Sequence, residues 1–212
     1  MKFQLASLAG LLMAGQTIAA PVQARDGVKM ASDYILEIAP KSATCDNTDE
    51  CRTNVQAGPL FADAMLKYNV KNAAQIAGIL ALTAFESDDY KYKHNISPGR
   101  PGQGTSNMQQ WPFTLKYAQS IPELKDKLSG VTESVDDNKK NEILALVTPD
   151  EYNFGSGPWF FTTQCSTDIQ EALKAGTDAG FQQYMSCVGI TDVTPDRLEY
   201  WNRAKTAFNL SG

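Results

Sequence analysis

The sequence predicts a mainly α domain of the α+β kind, with helices around one buried helix and a small β-hairpin inserted after it. Three observations predict this. The stretch VKNAAQIAGILALTAFE (residues 70–86) is apolar nearly all round, as in a helix at the centre of a domain. Several other stretches carry apolar residues at helical spacing. Only NISPGRPGQGTSNMQQWP (95–112) is crowded with Gly, Pro and small polar residues, which reads as loop and short hairpin.

Taken in order, residues 1–24 read as a secretory signal. Lys2 supplies the charge, LASLAGLLMAG the apolar run, and TIAA or VQA the cleavage site. Cleavage is expected after Ala19 or Ala20, or after Ala24 where a short pro-segment is also trimmed. Residues 25–212 then form a single domain. DGVKMASDYILEIAPK reads as a helix ending before Pro40. GPLFADAMLKYN is a second helix, with Leu60, Ala64, Met65 and Tyr68 on one face. The buried helix ends on Glu86, and the hairpin segment follows. PFTLKYAQSIPELKDKL and DNKKNEILALV return to helical patterning. TPDEYNFGSGPWFFTTQC (148–165) reads as a loop that leads into or interrupts a helix, and TDIQEALKAGTDAGFQQYMSCVGI is helical. TPDRLEYWNRAKTAFN closes the chain, with Thr194 as N-cap and Pro195 at the first helical position.

The bulk numbers exclude some classes. The formal charge is −5, and losing the single charge of Lys2 makes it −6, so general nucleic-acid binding is not expected. No stretch is long and apolar enough to span a bilayer. A secreted chain matures in an oxidising compartment, so the four cysteines read as two disulfides. Three pairings exist; Cys45 with Cys51 closes a local polar loop, and Cys165 with Cys187 then ties two C-terminal helices. With one histidine, His94, and no CxxC pair, neither a metal site nor another cofactor is expected. The expected protein is a secreted monomer.

Glu86 draws attention because a nearly all-apolar helix ends on it. A carboxyl there can hand a proton to a leaving oxygen, as glycosidic cleavage requires. Gln103, Thr105, Asn107 and Gln109 alternate, so a strand would set all four on one face. Amides and hydroxyls in such a row suit sugar hydroxyl and acetamido groups. No Asp or Glu lies between Asp89 and Glu123, so a second carboxylate would have to come from Asp88, Asp89, Asp150 or Glu151. Trp111 and Trp159 are candidate stacking platforms, whereas Phe160 and Phe161 read as core.

The pattern Glu86-Ser87, a Gly-rich stretch, GTSNMQQWP (104–112) and EYNFGSGP (151–158) resembles goose-type lysozymes and soluble lytic transglycosylases. The resemblance implies a lysozyme-like fold, with Glu86 as general acid and Ser87 orienting it. It implies that Gln109 contacts the sugar with Met108 behind it, and that Tyr152 and Asn153 sit near the acid. The implied activity is a secreted glycosidase acting on a polysaccharide of β-1,4-linked amino sugars, first of all peptidoglycan. The alternatives are a chitinase- or chitosanase-like hydrolase, or a non-catalytic glycan-binding effector of the same fold.

Overall fold

A computed structural model of the protein describes residues 28–211. The expected signal segment lies outside the described residues. The described chain is mainly α, with eleven α-helices, two 3₁₀ turns and no strand.

Helix α1 (Ala31–Ile38) is followed by a 3₁₀ turn at Pro40–Ala43. Proline fixes φ and lacks an N–H, so the preceding α-helix stops there. Helix α2 (Asn54–Lys67) starts earlier than the Gly-Pro pair suggests. Thr53 and Gln56 form a reciprocal capping box that satisfies the first free N–H groups, and Pro59 is carried inside the helix. Helix α3 (Ala73–Glu86) is capped by the Asn72 side chain, which accepts from Ala74 N and Gln75 N. Ten of its residues are buried, which makes it the centre of the core.

Helix α4 (Trp111–Ser120) opens with Pro112 in its first turn, and the short α5 (Pro122–Lys125) continues it. Helix α6 (Asp137–Val147) is capped by Asp136. The expected loop at 148–165 instead holds the short α7 (Asp150–Asn153) and α8 (Ser156–Gln164). Helices α9 (Thr167–Lys174) and α10 (Asp178–Cys187) are capped by Ser166 and Thr177. Thr194 and Pro195 open α11 (Pro195–Ala207). Helix α3 is packed by α1, α8, α9 and α11; α1 lies on α2 and α11; α4 lies against α6 and α8.

The hairpin expected after α3 is corrected. Residues 94–109 hold two isolated bridges, His94 with Gly104 and Gly104 with Gln109, and no strand. Positive φ at Thr105 (62°) and Met108 (43°) turns the chain back on itself, so the alternation from Gln103 to Gln109 never becomes a strand face. Trp111 and Trp159 are core residues, 8% and 4% exposed, so neither offers an open face for stacking. Phe160 and Phe161 lie in the same core. The disulfides are Cys45–Cys51 and Cys165–Cys187. They are compatible with an oxidising compartment.

Candidate functional site

Glu86 is the last residue of α3. Asp88, Asp89 and Tyr90 follow with φ of 48°, 59° and 64°, a run of left-handed backbone without glycine. Each such residue costs on the order of 1 kcal/mol or more and persists only where its surroundings enforce it. Ser87 does much of the enforcing. Its hydroxyl donates to Thr83 O at 2.7 Å and accepts from Tyr90 N at 2.9 Å. The buried Asp89 carboxylate accepts from Lys41 N at 2.8 Å and from the Tyr200 hydroxyl. Burial first, and then that carboxylate, push the Tyr200 phenol above its usual range.

Glu86 does not stand alone as an acid. Arg197, in the first turn of α11, donates from Nη1 to Glu86 Oε1 at 2.6 Å, with both side chains largely buried. The guanidinium also stacks over the Phe85 ring, 4.1 Å from its centroid. Nothing in the sequence pairs positions 86 and 197; the contact exists because α11 packs along α3.

A cavity of about 200 Å³ joins Glu86 and Arg197 to Gln103, Asn107, Met108 and Gln109. Gln103 is braced within its own turn, accepting from Asn95 Nδ2 at 2.8 Å and donating to Met108 O at 2.9 Å. Asn107 Oδ1 and Gln109 Oε1 are buried and have no hydrogen-bond partner among the described residues. The other expected site residues lie elsewhere. Thr105 is fully buried and its hydroxyl donates to Gly104 O. Asn153 Oδ1 accepts from Ser106 N at 3.0 Å, and Tyr152 O accepts from the Tyr117 hydroxyl at 2.7 Å. These two, with Ser87, hold the turns around the cavity and do not line it.

A second concavity lies between α1, α2 and α3. It is about 440 Å³ and is lined by Ile35, Phe61, Met65, Leu66, Val70 and Leu80, with Lys71 as its one charged residue. Leu66 is 68% exposed at its edge. The helical spacing of α2 announces a buried face; it gives no sign that part of that face stays open.

The described chain is thus disulfide-stapled and helical, with several concavities, among them the polar one at Glu86 and the apolar one between α1, α2 and α3. A bifunctional dioxygenase–epoxy alcohol synthase of Fusarium oxysporum is 51% identical over 158 residues, which cover 73% of this chain and 12% of that protein. The chain therefore spans a small part of this relative's length. No family model and no solved structure matches.

This relationship overturns the lysozyme-like recognition. An alignment of 158 residues at that identity outweighs a few motif residues scattered between Glu86 and Pro158. With it fall the glycosidase activity on peptidoglycan, chitin or chitosan, the glycan-binding effector and the polysaccharide partner. The geometry agrees: the strand face for a sugar is missing, and Glu86 is engaged by Arg197.

Adding dioxygen to an organic molecule relies on a redox-active metal or organic cofactor. Proteins hold such metals chiefly through His, Cys and carboxylates. Here the one histidine has its Nδ1 3.0 Å from Glu50 Oε2, and all four cysteines are in disulfides. Among the described residues no three His, Cys, Asp or Glu side chains converge. This donor set does not fit a resident redox metal.

Proposed function

We propose that the chain is an accessory domain that binds an aliphatic, oxygenated molecule of the kind an epoxy alcohol synthase makes. It does not itself carry the oxidation. The single observation that supports this most is the apolar concavity of about 440 Å³ with one cation, Lys71, in its lining. Ligand pockets of this size are typically apolar with a few placed polar groups. An acyl chain gains roughly 0.8 kcal/mol for each methylene it buries. An anionic head group on that chain complements Lys71, and no carboxylate lines the groove against it.

The Fusarium relative supports the choice of ligand, because its name joins dioxygenase and epoxy alcohol synthase activities. The donor set described above supports placing the oxidation outside this chain. On the same reading residues 25–212 are one domain, secreted after removal of residues 1–24.

The test is titration of the purified chain with a long-chain epoxy alcohol that bears a carboxylate, and with the parent unsaturated acid. Oxygen uptake is followed in parallel. The expected result is dissociation constants near the micromolar range, at least about tenfold weaker binding to Leu66→Asp, and no oxygen uptake. Failure of both compounds to bind, or equal binding by Leu66→Asp, overturns the reading. Oxygen uptake by the chain alone returns the oxidation to it.

A further inference from the structure

The sequence holds two Asn-x-Ser patterns, Asn95-Ile96-Ser97 and Asn209-Leu210-Ser211, and neither asparagine lines the aliphatic groove. In a chain that enters the secretory route this pattern accepts an N-linked oligosaccharide, provided that its middle residue is not proline. The sugar is bulky and hydrophilic, so the folded chain must leave it in solvent. The fold treats the two asparagines in opposite ways.

Asn95 is built into its turn. Its Oδ1 accepts from Gly99 N at 2.9 Å and from Arg100 N at 3.3 Å, and its Nδ2 donates to Gln103 Oε1 at 2.8 Å. Its backbone N–H donates to Gln103 O at 3.0 Å. A sugar on Nδ2 takes one of that nitrogen's hydrogens and needs room beside Gln103, which is itself tied to Met108 O. Pro98 also follows Ser97 directly and restricts the backbone of the serine that the pattern requires.

Asn209 is the reverse. It stands just past α11 in a left-handed turn, with φ of 52°. Backbone bonds close that turn, from Asn209 N to Thr206 O at 3.1 Å and from Leu210 N to Lys205 O at 2.9 Å. Asn209 is exposed, Leu210 packs on the core, and Ser211 is exposed again. The anchored leucine therefore leaves the acceptor amide and the hydroxyl in solvent on either side of it. A helix end explains an asparagine at 209, because asparagine tolerates left-handed backbone better than most residues. It does not explain a serine two positions later.

We propose that Asn209 carries an N-linked oligosaccharide and that Asn95 does not. The donor is an oligosaccharide joined through a diphosphate to a membrane lipid. Asn209 Nδ2 forms a bond to the anomeric carbon of the first sugar, and the bond from that carbon to the diphosphate oxygen breaks. The lipid diphosphate leaves with the electron pair, and Nδ2 gives up one proton to a base of the transferase. Nothing is oxidised or reduced. The proposal rests on the reading of the chain as secreted and is independent of the aliphatic groove.

The experiment produces the full chain in a eukaryotic host and assays the medium and the cells separately. Chain from the medium is treated with a peptide N-glycosidase in heavy-oxygen water, which turns each sugar-bearing asparagine into a labelled aspartate, and its peptides are mapped by mass spectrometry. Label is expected at position 209 and not at position 95. Ser211→Ala keeps Asn209 and alters only an exposed residue, so it should reach the medium and lose the whole carbohydrate mass. Three results overturn the proposal and leave the secretion reading standing: chain in the medium without label at 209, label at 95, or a sugar retained by Ser211→Ala. Chain held in the cells with residues 1–24 still attached overturns the secretion reading, and the proposal with it.

Discussion

Arg197 joins the start of α11 to the end of α3 by one charged hydrogen bond and one stacked ring. Charged hydrogen bonds that are partly buried contribute more than exposed ones, and losing one partner strands the other. A double-mutant cycle with Glu86→Gln and Arg197→Met is expected to give a coupling energy of about 1–2 kcal/mol in urea denaturation. Asp178 is a different case, because it lies at the surface. Lys205 donates to its Oδ1 at 2.6 Å, and Trp201 Nε1 donates to the same oxygen at 2.9 Å. The lysine contact, aided by Trp201 against a smaller opposing effect of burial, holds the carboxyl below its usual value. A lowered carboxyl pKa stabilises the fold above its unfolded value, about 3.9, and this contribution disappears as pH falls through the folded value. Thermal melting of Asp178→Asn should therefore lie below that of the parent protein at pH 6, with the gap closing as pH falls through the lowered folded-state value.

Helix α10 sits on α9 at Gly180, where an added Cβ would run into the backbone carbonyl of Ala172. Backbone cannot rotate away as a side-chain tip does, so the two helices must separate. Gly180→Ala is expected to cost about 1–3 kcal/mol, read from chemical denaturation, although alanine is the better helix former. Such contacts mark the limit of what the sequence discloses. The burial of α3 was readable because its apolar residues cover the whole helical circumference, and the start of α11 was readable from Thr194 and Pro195. The start of α2 was not, because Gly58-Pro59 looks like a stop while the Thr53–Gln56 capping box acts upstream of it. The alternation after Gly102 was misread because period two resembles a strand, and the left-handed residues Thr105 and Met108 cannot be told from sequence. At the candidate site Glu86, Gln103, Asn107 and Gln109 do share a cavity. Its decisive partner, Arg197, lies 111 positions from Glu86 and comes close only through helix packing.

Across the whole molecule the two disulfides act over different lengths. Cys165–Cys187 spans 22 residues and fastens the end of α8 to the end of α10, whereas Cys45–Cys51 spans 6. By loop-closure entropy, removing the longer link should cost about 3 kcal/mol and the shorter about 2 kcal/mol. Replacing each pair by alanine and measuring urea midpoints tests that order. Tyr34 of α1 stacks on Phe208 with ring centroids 4.3 Å apart, and Lys29 Nζ donates to Ala207 O at 2.7 Å. The first and last described segments therefore emerge side by side. A unit whose two ends meet can be spliced into a surface loop of a larger polypeptide, entering and leaving through a single doorway, without prising its host apart. The same adjacency makes it a natural candidate for circular permutation, with a short linker joining the old ends and new ones opened in an exposed turn such as the one at Gly130.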